Sequence, residues 1–179
     1  GSDYEGVLDK ANDRRSGLAA FEDVDEITMV AVPDEHHKDV GGDLIDHCER
    51  MADRIAIVQS TQNADLTGLP SGRASEYAAF YYPWLTVRDP ETDLERAVPP
   101  CGHVAGIYAR SDAQRGVHKA PANENVRGVQ GLTRTINKAE QASLNPAGVN
   151  CIRSVSRVTS AGAAPSAFAR RILAMATTS

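Results

Sequence analysis

Two short apolar runs on either side of a helical pattern constrain the fold of this chain more than any other feature. Residues 27–32 read ITMVAV and end at Pro33, and a continuous apolar run of this kind is typical of a parallel strand that is covered on both faces. From residue 40 to residue 54, apolar side chains recur at the three-and-four spacing of a helix with one buried stripe. Residues 55–58, IAIV, follow with almost no linker. A strand, a helix and a strand within roughly 35 residues predict a βαβ unit, and therefore an α/β fold with parallel strands.

Two later segments are candidates for the remaining strands of the sheet. Residues 84–87, WLTV, follow Pro83, and residues 149–152, VNCI, follow a proline and a glycine. We predict a mainly parallel sheet of about four strands, near 27–32, 55–60, 84–88 and 149–155, with helices on both faces. The most continuously apolar strand is the first, and we expect it at the centre, which gives the order 2-1-3-4.

Local signals predict three further helices. Residues 75–82 are interpreted as a short helix that starts at a serine cap and stops before Pro83, because a proline disfavours helical backbone in the residue that precedes it. The prolines at 99–100 suit the first turn of a helix, where no amide donor is needed. Asn137 and Glu140 have the spacing of a capping box, which opens a helix over the residues that follow.

The large aromatic side chains of the chain are concentrated in one stretch. Residues 77–90 read YAAFYYPWLTVRDP and include Trp84, the only tryptophan, although aromatics make up 5% of the whole sequence. Aromatic side chains bury the largest apolar areas in a core. We therefore expect the core to be built around this stretch and Trp84 to be largely buried.

One group of residues with metal-ligating chemistry follows the first predicted strand. Asp34, Glu35, His36 and His37 lie just past its carboxyl end, which is where open α/β sheets bind ligands. Adjacent loop residues seldom converge on one metal, and no second cluster with helical ligand spacing supports them. We interpret the group as a solvated loop and expect it to bind no divalent metal.

A second group suggests a nucleophile. Cys101 and His103 stand at the predicted start of a helix, where the helix dipole lowers the pKa of a thiol. They are too close in sequence to face each other on a helix, so a packed or lightly exposed thiol is the favoured interpretation. The two groups together define the alternative hypothesis of a small α/β enzyme with its site at the strand-end loops.

Composition excludes several other classes of function. The net charge of −5 argues against a nucleic-acid-binding face, which needs clustered Lys and Arg. The sequence contains no run of about 18 apolar residues, which is the length that a membrane span needs.

Gly41 and Gly42 lack the Lys and Ser/Thr of a phosphate-binding loop and are interpreted as cap or hinge residues. The odd number of cysteines gives no disulfide framework and suits a reducing compartment, and the start lacks the pattern of a signal peptide, so we expect a cytoplasmic protein.

Several blocks of the sequence resemble the tail sheath proteins of contractile phages and of related contractile injection systems. The blocks occur in the family's order and run from about residue 4 to about residue 153: SGLAA at 16–20, ITMVAVPD at 27–34, YYPWL at 81–85, VPPCGHVAGIYARSD at 98–112, RGVHKAPAN at 115–123 and LNPAGVNCIR at 144–153. Two positions depart from the family pattern, since His118 replaces a common aromatic residue and Cys101 replaces a small one.

The resemblance implies a structural protein and no enzyme. Such a subunit polymerises with other sheath subunits as a helical tube around an inner tube protein, and the tube shortens to drive the inner tube through a target envelope. The energy is stored in the assembly, so the resemblance implies no catalytic residues, no cofactor and no metal site. Arms from the chain ends add strands to neighbouring sheets in this family.

The resemblance also predicts how the chain is divided. Residues 1–20 are expected to form a lead-in segment, and residues 21–155 the globular α/β sheath core domain. Residues 156–179 are rich in Ala and Ser and contain no Asp or Glu, so we expect a divergent and weakly ordered tail, in which 169–173 resembles the strand expected there. On this reading the chain lacks the full arms through which sheath subunits polymerise.

Overall fold

The computed structural model describes residues 5–9, 14–33, 38–69, 75–116, 121, 124–155 and 171–174. In these residues the α-helices are α1 (Lys38–Met51), α2 (Cys101–Arg115) and α3 (Lys138–Leu144). Short 3-10 turns cover Gly17–Phe21, Leu66–Gly68 and Asn145–Ala147. The strands are β1 (Leu8–Asp9), β2 (Arg14–Arg15), β3 (Met29–Val30), β4 (Ile55–Gln59), β5 (Ala78–Tyr82), β6 (Leu85–Arg88), β7 (Glu95–Val98), β8 (Glu124–Val126), β9 (Gly131–Leu132), β10 (Val149–Val155) and β11 (Arg171–Ala174).

The main sheet has six strands in the order β3-β4-β5-β10-β11-β8. Its first four strands are parallel, and β11 and β8 extend it in antiparallel pairing. Strand β5 lies inside the parallel part, where Phe80 is opposite Val58 on one side and opposite Val149 on the other. The predicted α/β class, with about four parallel strands, is confirmed.

Helices cover both faces of this sheet, as predicted. Successive residues of a strand point to opposite faces. Ala56 packs with Val40, Leu44 and Cys48 of α1, whereas the next residue, Ile57, packs with residues of α2 on the opposite face. Helix α3 lies on the same face as α1, where Leu144 packs against Tyr82, Val149 and Cys151. Apolar side chains therefore pack against both faces of the sheet.

The prediction of a helix over 75–82 is wrong, because residues 78–82 form strand β5. Tyr81 packs on the α2 side of the sheet and Tyr82 on the α3 side. A strand that is buried on both faces shows no alternation of apolar and polar residues, and its two alanines favour a helix on local propensity. The Ser75 hydroxyl accepts a hydrogen bond from the Tyr77 amide at 3.2 Å in the turn before the strand, and it caps no helix there.

The predicted third strand exists but belongs to a different sheet. Strand β6 pairs antiparallel with β7 and with β9 in a three-stranded sheet of order β7-β6-β9. The predicted strand order 2-1-3-4 is therefore wrong, since β3 lies at the edge of the main sheet. Val30 and Met29 still pack against opposite faces. A continuous apolar run indicates that both faces of a strand are covered, and both faces of an edge strand can be covered too.

The other two predicted helices, which follow Pro100 and Asn137, are confirmed. Helix α2 begins directly after Pro100. The Asn137 side chain accepts a hydrogen bond from the Glu140 amide at 2.9 Å, and the Glu140 carboxylate accepts one from the Asn137 amide at 2.9 Å, which is a complete capping box. Gly41 lies inside α1, and a Cβ there would come within 3.2 Å of Val58 Cγ1. Close packing of α1 on β4 therefore explains this glycine better than a cap or a hinge.

Part of the predicted tail belongs to the main sheet. Strand β11, Arg171–Ala174, pairs with β10 on one side and with β8 on the other. Its neighbours in sequence, 156–170 and 175–179, lie outside the described residues. The division into 1–20, 21–155 and 156–179 stays a prediction.

Trp84 lies at the junction of the two sheets and is buried, as predicted, with 3% of its surface exposed. Its Nε1 donates a hydrogen bond of 2.7 Å to the Ser60 carbonyl, which follows β4 of the main sheet. Its own carbonyl accepts a hydrogen bond of 3.0 Å from the Thr133 amide, next to β9 of the smaller sheet. One residue thus connects both sheets through its side chain and its backbone.

We predict that Trp84→Ala lowers the free energy of unfolding by roughly 3 to 5 kcal/mol, the usual loss when a large buried aromatic is removed. Chemical denaturation followed by far-ultraviolet circular dichroism measures this change. The matched control is the exposed Thr92→Ala, which should stay within about 0.5 kcal/mol of the parent. A Trp84→Ala protein as stable as that control would show that the junction is not part of the stabilising core.

Candidate functional site

Cys101 does not have the surroundings of a nucleophile. It is the first residue of α2, but it is 1% exposed and packs in the core with Ile57, Leu85 and Ile152. His103 is partly buried, and burial lowers the pKa of its imidazole. A thiol packed under the helix cannot meet a substrate in solvent, so the structure favours the packed-thiol interpretation.

The other candidate group, Asp34, Glu35, His36 and His37, lies outside the described residues. Its interpretation as a solvated loop without a metal stays a prediction. In the part of the chain that the structure describes, no group of three or more His, Cys, Asp or Glu residues is placed to hold a metal ion.

An open groove of about 510 Å³ lies between the Leu66–Gly68 turn and α3. Its one charged lining residue, Glu140, is already engaged, since its carboxylate completes the capping box of α3 and lies 3.5 Å from Arg134 Nη2. An enzyme pocket needs polar groups that converge on a ligand, and this groove does not bring such groups together. Its lining residues are Leu66, Thr67, Leu69, Ala139, Glu140, Ser143, Leu144, Ala147 and Val149.

The buried tyrosines are structural as well. The hydroxyls of Tyr81 and Tyr108 form a hydrogen bond of 3.1 Å between β5 and α2, and the Tyr82 hydroxyl donates to the Ala64 carbonyl at 3.0 Å. Burial raises the pKa of Tyr81, Tyr82 and Tyr108 above the ordinary value. These phenols stay protonated near neutral pH and satisfy buried polar groups, so they are not poised for proton transfer.

A group of charged residues connects the end of α2 to the edge strand β8. Arg110 donates a hydrogen bond of 2.8 Å to the Asn125 carbonyl. Glu124 lies 3.2 Å from Arg115 and 3.9 Å from Arg110. The carboxylate that joins the two arginines thus comes from strand β8 and not from α2 itself. These contacts hold an edge of the main sheet in place within the subunit.

A sequence model of the phage tail sheath protein central domain matches residues 3–159. This chain belongs to the phage tail sheath family. Among curated proteins, no sequence matches this one.

Solved structures of contractile particles share the fold of this sheath-family chain. A chain of the anti-feeding prophage helical sheath in its contracted state is 28% identical, with a TM-score of 0.66, over 95% of this chain and 44% of that chain. A chain of the anti-feeding prophage baseplate is 27% identical with the same TM-score, over 95% of this chain and 42% of that chain. A chain of the contracted PVC sheath, an extracellular contractile injection system, is 22% identical with a TM-score of 0.66, over 89% of this chain and 42% of that chain. The sheath-family chain thus spans less than half the length of these chains.

For a sheath-family domain, the edges of the main sheet are the candidate functional surface. Among the described residues β3 forms one edge and β8 the other. A sheet edge presents backbone groups that can pair with another chain, whereas, among the described candidate groups, Cys101 lies in the core and Glu140 is in an ion pair. None of the described helices is long and apolar enough to cross a membrane. Sequence reasoning did not identify β8, because only three residues form it and they carry no strand pattern.

We predict that the three cysteines of the native protein react slowly with a thiol reagent at pH 8. Burial raises the pKa of Cys48 and of Cys151 to about 11, and Cys101 is enclosed in the core. The thiolate is the reactive form, so unfolding in guanidinium should accelerate the reaction by roughly a hundredfold or more.

Ellman's reagent measures both rates on the same sample. A thiol that reacts within seconds in the native protein, and that Cys101→Ser removes, would contradict this placement and support the enzyme alternative.

Proposed function

We propose that this chain is the core domain of a contractile sheath subunit. The sheath polymerises helically around an inner tube and contracts to drive that tube through a target envelope. The family match over residues 3–159 carries the proposal. The likeness at 28% identity to a chain of a helical sheath in its contracted state supports it.

A non-enzymatic role is part of this proposal. Contraction needs energy stored in the subunit contacts and no bond-breaking chemistry, so we propose no catalytic residue, cofactor or metal. The burial of Cys101 and the engagement of Glu140 in the groove support this view. The enzyme alternative would require Asp34, Glu35, His36 and His37 to act without a partner from the helix that begins at Cys101.

The partners follow from the same proposal. Other sheath subunits and an inner tube protein are the proposed partners, with assembly in the cytoplasm into a phage tail or phage-tail-like particle. Heterologous contacts that do not close generate a helical filament, and strands β3 and β8, the edges of the main sheet among the described residues, offer such contacts. The acidic balance of the chain, with a net charge of −5, supports a partner other than nucleic acid.

We predict that the 179-residue chain alone forms no sheath-like tubes. It spans 44% of the anti-feeding prophage sheath chain, and we place most polymer contacts in the part of such proteins that it does not match. Sedimentation and negative-stain microscopy at high protein concentration and raised salt should show a monomer or small oligomer.

The full-length anti-feeding prophage sheath protein, handled in parallel, is the control for assembly conditions. Regular tubules from the 179-residue chain would show instead that this domain carries the polymer contacts itself.

A further inference from the structure

The segment before β3 is held against α1 mainly by polar contacts. Its 3-10 turn, Gly17–Phe21, contacts α1 and contributes one buried side chain, Leu18, to the core. Two larger apolar residues of the segment, Phe21 and Val24, are 42% and 36% exposed. Little apolar area therefore holds this part of the chain, and such regions open locally at a lower free energy than the core.

Three arginines provide polar contacts of the segment. Arg54, which follows α1 and is 3% exposed, donates to the Phe21 carbonyl at 2.8 Å and to the Val24 carbonyl at 3.3 Å. Glu22 accepts from Arg15 at 2.8 Å and from Arg50 of α1 at 3.0 Å. We call this region, where residues 17–24 meet the end of α1, the N-terminal seam.

His47 is buried beside the seam without a polar partner. It is 1% exposed and lies one helical turn before Arg50, on the same side of α1. Neither imidazole nitrogen has a hydrogen-bond partner among the described residues. A buried imidazole in this position is tolerated while it is neutral, because a charged one would need acceptors for two N–H groups.

The charged groups around His47 do not favour a proton on it. Arg54 and Arg50 repel the protonated imidazole, and Glu22 and Asp53 attract it. Both carboxylates are already engaged, since Glu22 binds Arg15 and Arg50, and Asp53 binds Arg54 at 2.6 Å. Burial is the largest cause of the lowered pKa of His47, followed by the two arginines. His47 therefore binds a proton more weakly when the seam is closed than when it is open.

We propose that the N-terminal seam is a pH-sensitive latch, in which protonation of His47 releases residues 17–24 from α1 while the main sheet stays folded. Opening exposes the imidazole to water and separates the cationic end of α1 from the segment. It also uncovers Leu18 and the surface of α1 next to edge strand β3. The proposal concerns the subunit itself and does not rest on sheath assembly.

Linkage fixes the direction and the pH range of the effect. The pKa of His47 in the closed state lies below that of a free imidazole, about 6.5. The stabilisation of the closed seam is complete above about pH 6.5 and is lost as the pH falls through and below that value. Asp53 stays ionised over this range, because its hydrogen bond with Arg54 lowers the pKa of its carboxyl. The opening equilibrium should therefore rise as the pH falls from 7.5 to 5.5, by at most about one power of ten per pH unit below the free imidazole's pKa.

Amide hydrogen exchange resolved by NMR tests the latch on the full chain. The reporters are the amides of Glu22 and Val24, which donate to the Ala19 and Phe21 carbonyls. The reference is the amide of Ala56 in strand β4 of the main sheet, which donates to the Tyr77 carbonyl. After correction for intrinsic exchange, we expect the protection of Glu22 and Val24 to fall from pH 7.5 to pH 5.5, by up to about tenfold, with Ala56 unchanged.

Two variants separate His47 from other groups. His47→Phe, or His47→Leu if the larger ring does not fit, should abolish the pH dependence at Glu22 and Val24. His103→Gln, which removes another imidazole of lowered pKa, should behave like the parent. The proposal is overturned if the parent shows no loss of protection, if the loss persists in the His47 variants, or if Ala56 loses protection in parallel.

Should neither His47 variant fold, the parent alone decides the question. The ring C–H signals of His47 should then titrate over the pH range in which Glu22 and Val24 lose protection. An imidazole that stays neutral while that protection is lost overturns the proposal.

Discussion

The parallel pairing of β5 with strands on both of its sides is the constraint on which the rest of this structure depends. Strand β5 pairs with β4 from Ala78 to Tyr81 and with β10 from Phe80 to Tyr82. Its side chains reach both layers of the core, and the hydroxyls of Tyr81 and Tyr82 end on a tyrosine of α2 and on the Ala64 carbonyl. Two residues later, Trp84 connects the main sheet to the smaller one. One aromatic segment thus determines the positions of both sheets and two helices.

The fold class and most helices could be predicted because their signals are local. The proline pair before α2 and the Asn137 to Glu140 capping box each act within a few residues, and the βαβ pattern is contained in one continuous segment of the sequence. Strand β5 was predicted as a helix because a strand covered on both faces loses its alternation. The strand order could not be predicted from the sequence either, because β3 is apolar on two faces although it lies at the edge of the sheet. Position in a sheet depends on distant partners, and no local pattern records them.

The candidate site was predictable in a different sense. The spacing of Cys101 and His103 indicated that the two side chains do not face each other on a helix. The burial of Cys101 supports the conclusion that it is not a nucleophile. By contrast, His47 gave no signal, because a polar residue within an amphipathic helix is usually assigned to its solvent face. It is buried near the end of α1, the helix against which the Gly17–Phe21 turn, some 25 positions earlier in sequence, packs. The edge strand β8 was missed for a similar reason, as its contacts with Arg110 and with β11 join distant parts of the chain.

A cryo-EM reconstruction tests the central claim most directly, namely that this sequence forms the core of a sheath subunit organised on β5. The sample is a sheath protein that carries this sequence, co-expressed with its inner tube protein. We expect a helical tube around the inner tube, with residues 78–82 of each subunit as a strand between two parallel neighbours and Trp84 at the junction of the two sheets. A protein that assembles no tube around its partner, or a subunit in which residues 78–82 are helical or lie at a sheet edge, would contradict that claim.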